Sequence, residues 1–147
     1  METHYSHILA AVEVNDFGER VLQRARDLAR LFEARLSVIH AVEFIPLDAG
    51  AAMIMAPAEL GQQLESQARE QLLAMCARLA IPDSAVQVVT GAVVAEILHT
   101  AKRLSADLLV VGHRPHSGLA SLFTYTDESV VHKTCCDVLV LNVGTKT

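Results

Sequence analysis

The stretch that decides the fold is residues 107–143, DLLVVGHRPHSGLASLFTYTDESVVHKTCCDVLVLNV. It opens with the apolar run DLLVV at 107–111 and closes with DVLVLNV at 137–143. Short apolar runs bounded by glycine and polar residues are typical of buried strands. Gly112 follows the first run, and a helical pattern covers residues 127–133. The stretch therefore predicts a strand, a loop, a helix and a second strand, the connection that joins parallel strands.

Working outward, the same alternation fills the rest of the chain. Earlier strands are predicted at residues 6–13 (SHILAAVE), 35–42 (RLSVIHAV) and 85–90 (AVQVVT). Between the strands, apolar residues recur at helical spacing. The order β-α-β-α-β-α-β-α-β predicts an α/β fold, a doubly wound five-stranded parallel sheet with right-handed crossovers. We expect residues 1–147 to form a single domain.

Two connections carry local signals of their own. Asn15 and Asp16 offer cap oxygens for the first helix, and Asp16 with Glu19 has the spacing of a capping box. Residues 44–60 contain prolines, a glycine and few charges, which predicts a long loop that leads into the second helix near Pro57. Because this loop is apolar, we expect it to cover a cleft or to contact a partner.

Composition narrows the class of protein. The formal net charge is −5, and there is neither a basic cluster nor a row of aromatic residues, which disfavours a nucleic-acid partner. Three cysteines, an odd number, indicate a reducing compartment rather than a disulfide framework. No apolar run reaches twenty residues, and no secretory leader is recognisable, so we expect a cytoplasmic protein without a membrane partner.

The site is expected where the sheet changes direction. In open parallel sheets, ligands bind beyond the carboxyl ends of the strands at the topological switch point. The loop after the first strand contains Glu13, Asn15 and Asp16, and the loop after the fourth strand begins at Gly112. These two loops are therefore the candidate ligand-binding segments.

The block at residues 110–141 resembles the closing segment of universal stress proteins, where the pattern Gly-x2-Gly-x9-Gly-Ser/Thr precedes the last helix and strand. The segments ILAAVE, LSVIHAV and GAVVAEIL are similar to other parts of that family, and the likeness covers nearly the whole chain. The resemblance implies a flavodoxin-like, adenine nucleotide alpha hydrolase-like sheet of strand order 3-2-1-4-5. It also implies an adenine nucleotide, AMP, ADP or ATP, in the cleft between strands 1 and 4.

The resemblance also assigns roles, residue by residue. Glu13 stands at the acidic position that contacts the ribose or base, and Ala41 at the strand end that contacts the adenine. Gly112 matches the first glycine of the motif, whereas Pro115 stands at the second. The chain is one residue short after that point, so Thr124 falls at the third glycine. The full candidate set is Ala11, Glu13, Ala41, Val111, Gly112, His113, Ser117, Gly118, Thr124, Tyr125 and Thr126.

These departures shape the functional expectation. Proline removes an N–H donor from the loop, and Tyr125 is bulky where a compact hydroxyl is expected. We therefore expect a regulatory nucleotide-binding module with an impaired phosphate loop, no catalytic residue and at most slow ATP hydrolysis. The alternative is a dimeric interaction protein of the same fold that holds no nucleotide, as the branch resembling universal stress protein A suggests.

Several of these residues have plainer interpretations. Glu13 fits a solvated strand end, Gly112 a turn that needs a positive φ, and residues 124–126 a helix cap. The spacings His113-x2-His116 and His132-x2-Cys135 resemble a zinc site, but they fall at opposite ends of the predicted fold, so no metal is expected. Cys76 is predicted to lie in the core and His40 to be a hydrogen-bonded structural histidine, whereas the roles of Cys135 and Cys136 stay open.

The final strand also predicts an assembly. Residues 137–143 form an apolar edge with few charges, and such edges are usually covered. Universal stress proteins resemble one another in pairing across this strand. We therefore expect a homodimer through Val138 and Val140, and an unknown protein partner is also compatible with the family.

Overall fold

The computed structural model describes residues 4–43, 57–113, 130–134 and 136–143. Its sheet has the order β3-β2-β1-β4-β5, and every neighbouring pair is parallel. Both the doubly wound α/β fold and the strand order 3-2-1-4-5 are confirmed. The strands are β1 (His7–Ala11), β2 (Arg35–Val42), β3 (Val86–Thr90), β4 (Leu108–His113) and β5 (Asp137–Asn142).

The helices cover the two faces of the sheet. They are α1 (Asp16–Phe32), α2 (Pro57–Arg78) and α3 (Val93–Arg103). Residues 130–133 are helical too, so the predicted last helix is seen in this part, while residues 127–129 lie outside the described residues. A 3-10 turn at Asp83–Ala85 delays the start of β3 to Val86, one residue later than predicted.

The first helix begins differently from the capping-box prediction. Asn15 is the N-cap, and its Oδ1 accepts a hydrogen bond from the Gly18 N–H at 2.8 Å. Glu19 therefore lies one position beyond the capping-box position. Its carboxylate instead accepts hydrogen bonds from the Arg78 guanidinium, which ties the start of α1 to the end of α2.

Side chains alternate between two cores because successive residues of a strand point to opposite faces. Ile8, Ala10 and Val12 pack on the face that carries α1 and α2. Leu9 and Ala11 pack on the face that carries α3 and Val130. Burial on both faces explains why β1 and β4 are continuous apolar runs in the sequence.

Polar groups join the amino ends of the central strands. The Asp107 carboxylate accepts hydrogen bonds from the Ser6 N–H and the His7 N–H at 2.9 and 3.0 Å. His7 is buried, and its ring bridges Leu104 O at 3.1 Å and Ser37 Oγ at 2.8 Å. Because a carbonyl only accepts, Nδ1 carries the proton and Nε2 accepts from the serine. Burial, reinforced by the nearby charge of Arg35, lowers the pKa of His7.

Because the pKa of His7 is lowered, the free energy of unfolding depends on pH, and the sign of that dependence can be worked out. Above about pH 6.5, His7 is neutral in both the folded and the unfolded chain and contributes no pH dependence. Below that value the unfolded chain binds a proton that the folded chain resists, so stability falls with pH. We expect the free energy of unfolding to decrease between pH 7 and pH 5, and to decrease less steeply in His7→Gln. Urea titration at both pH values measures the two slopes.

The control is Gln23→Ala, an exposed position on α1 that carries no titratable group. That variant should keep the slope of the wild type. Equal slopes for the wild type and His7→Gln would contradict the prediction, whatever their stabilities at pH 7.

Candidate functional site

The carboxyl ends of β1 and β4 lie side by side. Ala11 pairs with Val111 in the parallel ladder, and Ala11 also pairs with Ile39 of β2. The side chains of Ala11 and Val111 are buried on the α3 face, so they can shape a site but offer it no polar group. The switch point therefore has an apolar floor, and its polar chemistry comes from the residues that follow the strands.

Glu13 supplies a carboxylate at this edge, and Asn15 orients it. Glu13 Oε1 accepts a hydrogen bond from Asn15 Nδ2 at 3.0 Å, while Asn15 Oδ1 caps α1. One amide group thus links the carboxylate to the start of a helix. The Glu13 side chain is half-buried, so it is neither a fully solvated strand end nor part of the core.

Gly18 packs against the main chain of Glu13, a contact that the sequence analysis did not predict. A Cβ added to Gly18 would lie 1.7 Å from the Glu13 carbonyl oxygen. Glycine weakens a helix, so a glycine in the first turn of α1 needs a reason such as close packing. That reason is the close approach of α1 to the main chain of Glu13.

A Gly18→Ala variant tests this contact. In an unconstrained helix the change would stabilise by about 0.5–1 kcal/mol. Here the added methyl group forces the Glu13 main chain away from α1, so we expect a loss of about 1–3 kcal/mol in the free energy of unfolding. Urea denaturation measures the difference, with Gln23→Ala, an exposed site on the same helix, as the control. Unchanged or higher stability of Gly18→Ala would show that the Glu13 main chain can move away from α1 without an energetic cost.

Gly112 serves close packing too, which corrects the turn interpretation. Gly112 lies within β4 and pairs with Leu141, so the strand continues to His113 instead of stopping at the glycine. A Cβ on Gly112 would lie 2.6 Å from Val21 Cγ2 and 2.8 Å from Phe17 Cζ. Within the described residues, positive φ among glycines occurs at Gly91 and not at Gly112. Glycine is needed here because α1 crosses directly over the strand.

His40 connects β2 to the segment that leaves β1. Its Nδ1–H donates to the Val12 carbonyl oxygen at 2.8 Å. Burial lowers the pKa of His40, and the hydrogen bond to Val12 and the Glu13 carboxylate oppose that shift. His40 is thus a hydrogen-bonded structural histidine, as predicted, and it fixes the main chain immediately before Glu13. Ala41, the next residue, pairs with Val89 and is half-buried.

Further polar contacts lie at the same edge beside β3. Thr90 Oγ1 donates to Glu65 Oε2 of α2 at 2.8 Å. The Gly91 N–H donates to Val42 O at 3.0 Å, and Gly91 has φ 156°. Sequence reasoning did not single out Glu65, because a glutamate on an amphipathic helix has no signal that distinguishes it from its neighbours.

The candidate residues divide into two groups. Six of them, Ala11, Glu13, Ala41, Val111, Gly112 and His113, lie at the carboxyl ends of β1, β2 and β4. Ser117, Gly118, Thr124, Tyr125 and Thr126 lie outside the described residues, as do Pro115 and most of the apolar loop at 44–60.

The residues of the zinc-like spacing are likewise only partly described by the structure. His113 ends β4, whereas His132 belongs to the helical residues 130–133 that lead to the amino end of β5. His116 and Cys135 lie outside the described residues, so the metal expectation stays a prediction. Within residues 4–43, 57–113, 130–134 and 136–143, no cluster of three or more histidine, cysteine or acidic side chains could hold a metal ion.

The sheet order defines a doubly wound α/β protein in which β1 and β4 are neighbours at the topological switch point. The model of the Universal stress protein family matches residues 4–142, and the chain belongs to that family. The resemblance drawn from the sequence is confirmed. None of the helices described here is long and apolar enough to cross a membrane.

Individual relatives agree with this assignment. Universal stress protein A homolog 1 of Coxiella burnetii is 33% identical over 139 residues, which are 94% of this chain and 96% of that protein. A functionally unknown protein of Pseudomonas aeruginosa has a solved structure with TM-score 0.68 and 26% identity; 95% of this chain matches 48% of that longer one. A universal stress protein solved in complex with cAMP has TM-score 0.62 and 24% identity over 95% of this chain and 99% of its own.

Proposed function

We propose that the protein is a regulatory module that binds an adenine nucleotide between the carboxyl ends of β1 and β4. The observation that carries the proposal is the Glu13 carboxylate, held by Asn15 beside the start of α1 and next to the paired ends of β1 and β4. Membership of the universal stress protein family supports it, as does the relative that was solved with cAMP. A carboxylate accepts hydrogen bonds from ribose hydroxyls, which gives Glu13 a specific role.

The adenosine half of this site is the better preserved half. Glu13 would bind the ribose, the main chain near Ala41 would contact the adenine, and Ala11 and Val111 would form the floor. Gly112 and His113 lead into the segment that would approach the phosphates, with Ser117, Gly118, Thr124, Tyr125 and Thr126 as its proposed contacts. Pro115 lacks an N–H, and Tyr125 replaces a small hydroxyl residue, so this half should bind phosphate poorly.

A weakened phosphate site has a measurable consequence. Each lost charge-assisted hydrogen bond costs about 1.5–3 kcal/mol, so losing two weakens triphosphate binding by at least about a hundredfold. We therefore propose weak nucleotide binding that hardly separates AMP from ATP, with no metal cofactor and little or no hydrolysis.

Titration calorimetry with AMP, ADP and ATP, each with magnesium, tests the proposal. Glu13→Ala should weaken all three nucleotides to a similar extent, by about ten- to a hundredfold, because it removes a contact to the shared ribose. Glu70→Ala is the control, since it removes the same charge from an exposed position on α2. Equal affinity in Glu13→Ala and the wild type would refute the assigned role.

The phosphate half is tested by Thr124→Gly combined with Tyr125→Ser, which restores the family pattern. This double variant should gain affinity for ATP and leave AMP binding nearly unchanged. Tight binding of ATP by the wild type, far above its affinity for AMP, would contradict the impaired loop.

A second function is favoured by the same altered loop. If the wild type binds no adenine nucleotide at all, Pro115 and Tyr125 belong to a site that has lost its ligand, and the protein acts by binding another protein. Cytoplasmic location fits either function. Cys76 and Cys136 are both free thiols, which suits a reducing compartment.

Assembly as a homodimer is part of the proposal. β5 pairs only with β4 among the described strands, so its other edge is available for pairing. Val140 on this strand is 38% exposed, whereas Leu141 is 4% exposed and belongs to the core. Of these two, Val140 is therefore the residue whose replacement tests the interface without removing a core side chain.

We expect Val140→Lys to convert a dimer into a monomer at micromolar concentration, because a lysine on an edge strand opposes pairing. Multi-angle light scattering measures the mass, and circular dichroism checks the fold. Leu31→Lys is the matched control, because Leu31 is 75% exposed on α1, away from β5. A wild type that is already monomeric would refute the dimer.

A further inference from the structure

A cavity lies at the amino edge of the sheet, opposite the proposed nucleotide site. Its volume is about 270 Å³. The last turns of α3 form one wall, and Lys133, Thr134 and Cys136 form the other. Ala101 and Ala106, both buried, contribute an apolar floor. A cavity of this volume has room for a small organic molecule.

Cys136 places a thiol in this cavity. Its side chain is half-buried and forms no disulfide. The Cys136 N–H donates to Thr134 Oγ1 at 3.2 Å, and the same Oγ1 lies 3.4 Å from Cys136 Sγ. The Thr134 hydroxyl thus contacts both the main chain and the sulfur of Cys136. A cysteine reacts as its thiolate, which is the nucleophile.

Two lysines stand beside the thiol. Lys102 and Lys133 both line the cavity, and none of the lining residues that the structure describes is acidic. The acidic residues nearest in sequence, Asp107 and Asp137, accept hydrogen bonds from Ser6 and Tyr5 instead. Lysine near the end of a helix is common because it complements the helix dipole. The helix dipole explains why each lysine lies near the end of a helix. It does not explain why both lysines line the same cavity as a thiol and an apolar floor.

Cys76 provides an internal comparison. It lies within the core on the other face of the sheet, and burial, with a smaller effect of Asp83, raises its pKa to about 11. A buried thiol of this kind is inert towards reagents in solution. The two cysteines therefore differ in access and in surrounding charge.

We propose that Cys136 is a modification site, at which small disulfides carrying carboxylates bind in the cationic cavity and leave a mixed disulfide. Thr134 and the two lysines act as positioning residues, through the sulfur and through the anionic groups. The site is independent of nucleotide binding, because it lies at the opposite edge of the sheet.

The chemistry is a thiol–disulfide exchange. Cys136 first loses its proton to water, and the thiolate attacks one sulfur of the incoming disulfide. A new S–S bond forms to Cys136, the original S–S bond breaks, and the other half departs as a thiolate with the electron pair. Cys136 is oxidised, and the departing half of the reagent is reduced, so no further oxidant is required.

The test compares two reagents on the full chain. Cys135→Ser is the parent protein, so that the neighbouring thiol does not contribute. The dianionic 5,5′-dithiobis(2-nitrobenzoate) and the neutral 4,4′-dithiodipyridine both release a coloured thiol or thione, and intact mass identifies the adduct. We expect one rapid adduct on the native protein, absent in Cys135→Ser/Cys136→Ser, with Cys76 reacting only after denaturation.

Charge selectivity decides the proposal. Lys102→Gln with Lys133→Gln should slow the anionic reagent by about three- to tenfold and leave the neutral reagent nearly unaffected. Raising the salt from about 0.05 to about 0.5 M should slow the anionic reagent in the parent protein in the same way, since salt screens exposed charges. This second measurement does not depend on the folding of a variant.

Other outcomes would overturn the proposal. If the two lysine substitutions slowed both reagents equally, the lysines would have a structural role and would not select anionic reagents. A native Cys136 that reacts with neither reagent would show that the cavity does not expose the sulfur. A peptide disulfide with two or more carboxylates, such as oxidised glutathione, should give the corresponding mixed disulfide by mass, and excess dithiol should reverse it.

Discussion

The close approach of α1 to the carboxyl ends of β1 and β4 is the constraint on which the rest of the site depends. Two glycines permit it from opposite sides of the contact. Gly18 of the helix lies against the Glu13 carbonyl oxygen, and Gly112 of β4 lies beneath Val21 and Phe17. Because neither position has room for a methyl group, the distance from helix to sheet is fixed. The position of the Glu13 carboxylate follows from that distance.

Hydrogen bonds at this edge of the sheet then fix the position of Glu13. Asn15 joins Glu13 to the first turn of α1, and His40 joins β2 to the main chain just before Glu13. Asn15 therefore holds the carboxylate itself, and His40 holds the main chain that leads to it. At the amino edge a different set of contacts, built on Asp107 and the buried His7, anchors β1 between β2 and β4. The proposed nucleotide site and the Cys136 cavity thus lie at opposite edges of one rigid sheet.

Much of the fold could be predicted because its physical cause is local in the sequence. The central strands β1 and β4 are buried on both faces and are therefore apolar almost throughout. All five strands were found, with ends that differ by no more than two residues from those predicted. Capping was less predictable, since Asn15 and Asp16 offer similar oxygens and only the geometry selects Asn15. Likewise, the sequence presented Gly112 as a turn residue, although its neighbours across space explain it.

By itself the sequence determined the order of elements and the family, and it predicted the edge of the sheet where a ligand would bind. These follow from periodicity and from short motifs, which are properties of neighbouring residues. Only the tertiary structure decided which residues support Glu13 and that Cys136 shares a cavity with Lys102 and Lys133. Those relationships join residues far apart in the chain, and their strength depends on distances of a few ångströms. A spacing along the sequence cannot encode such distances, because they arise only when helices and sheet pack together.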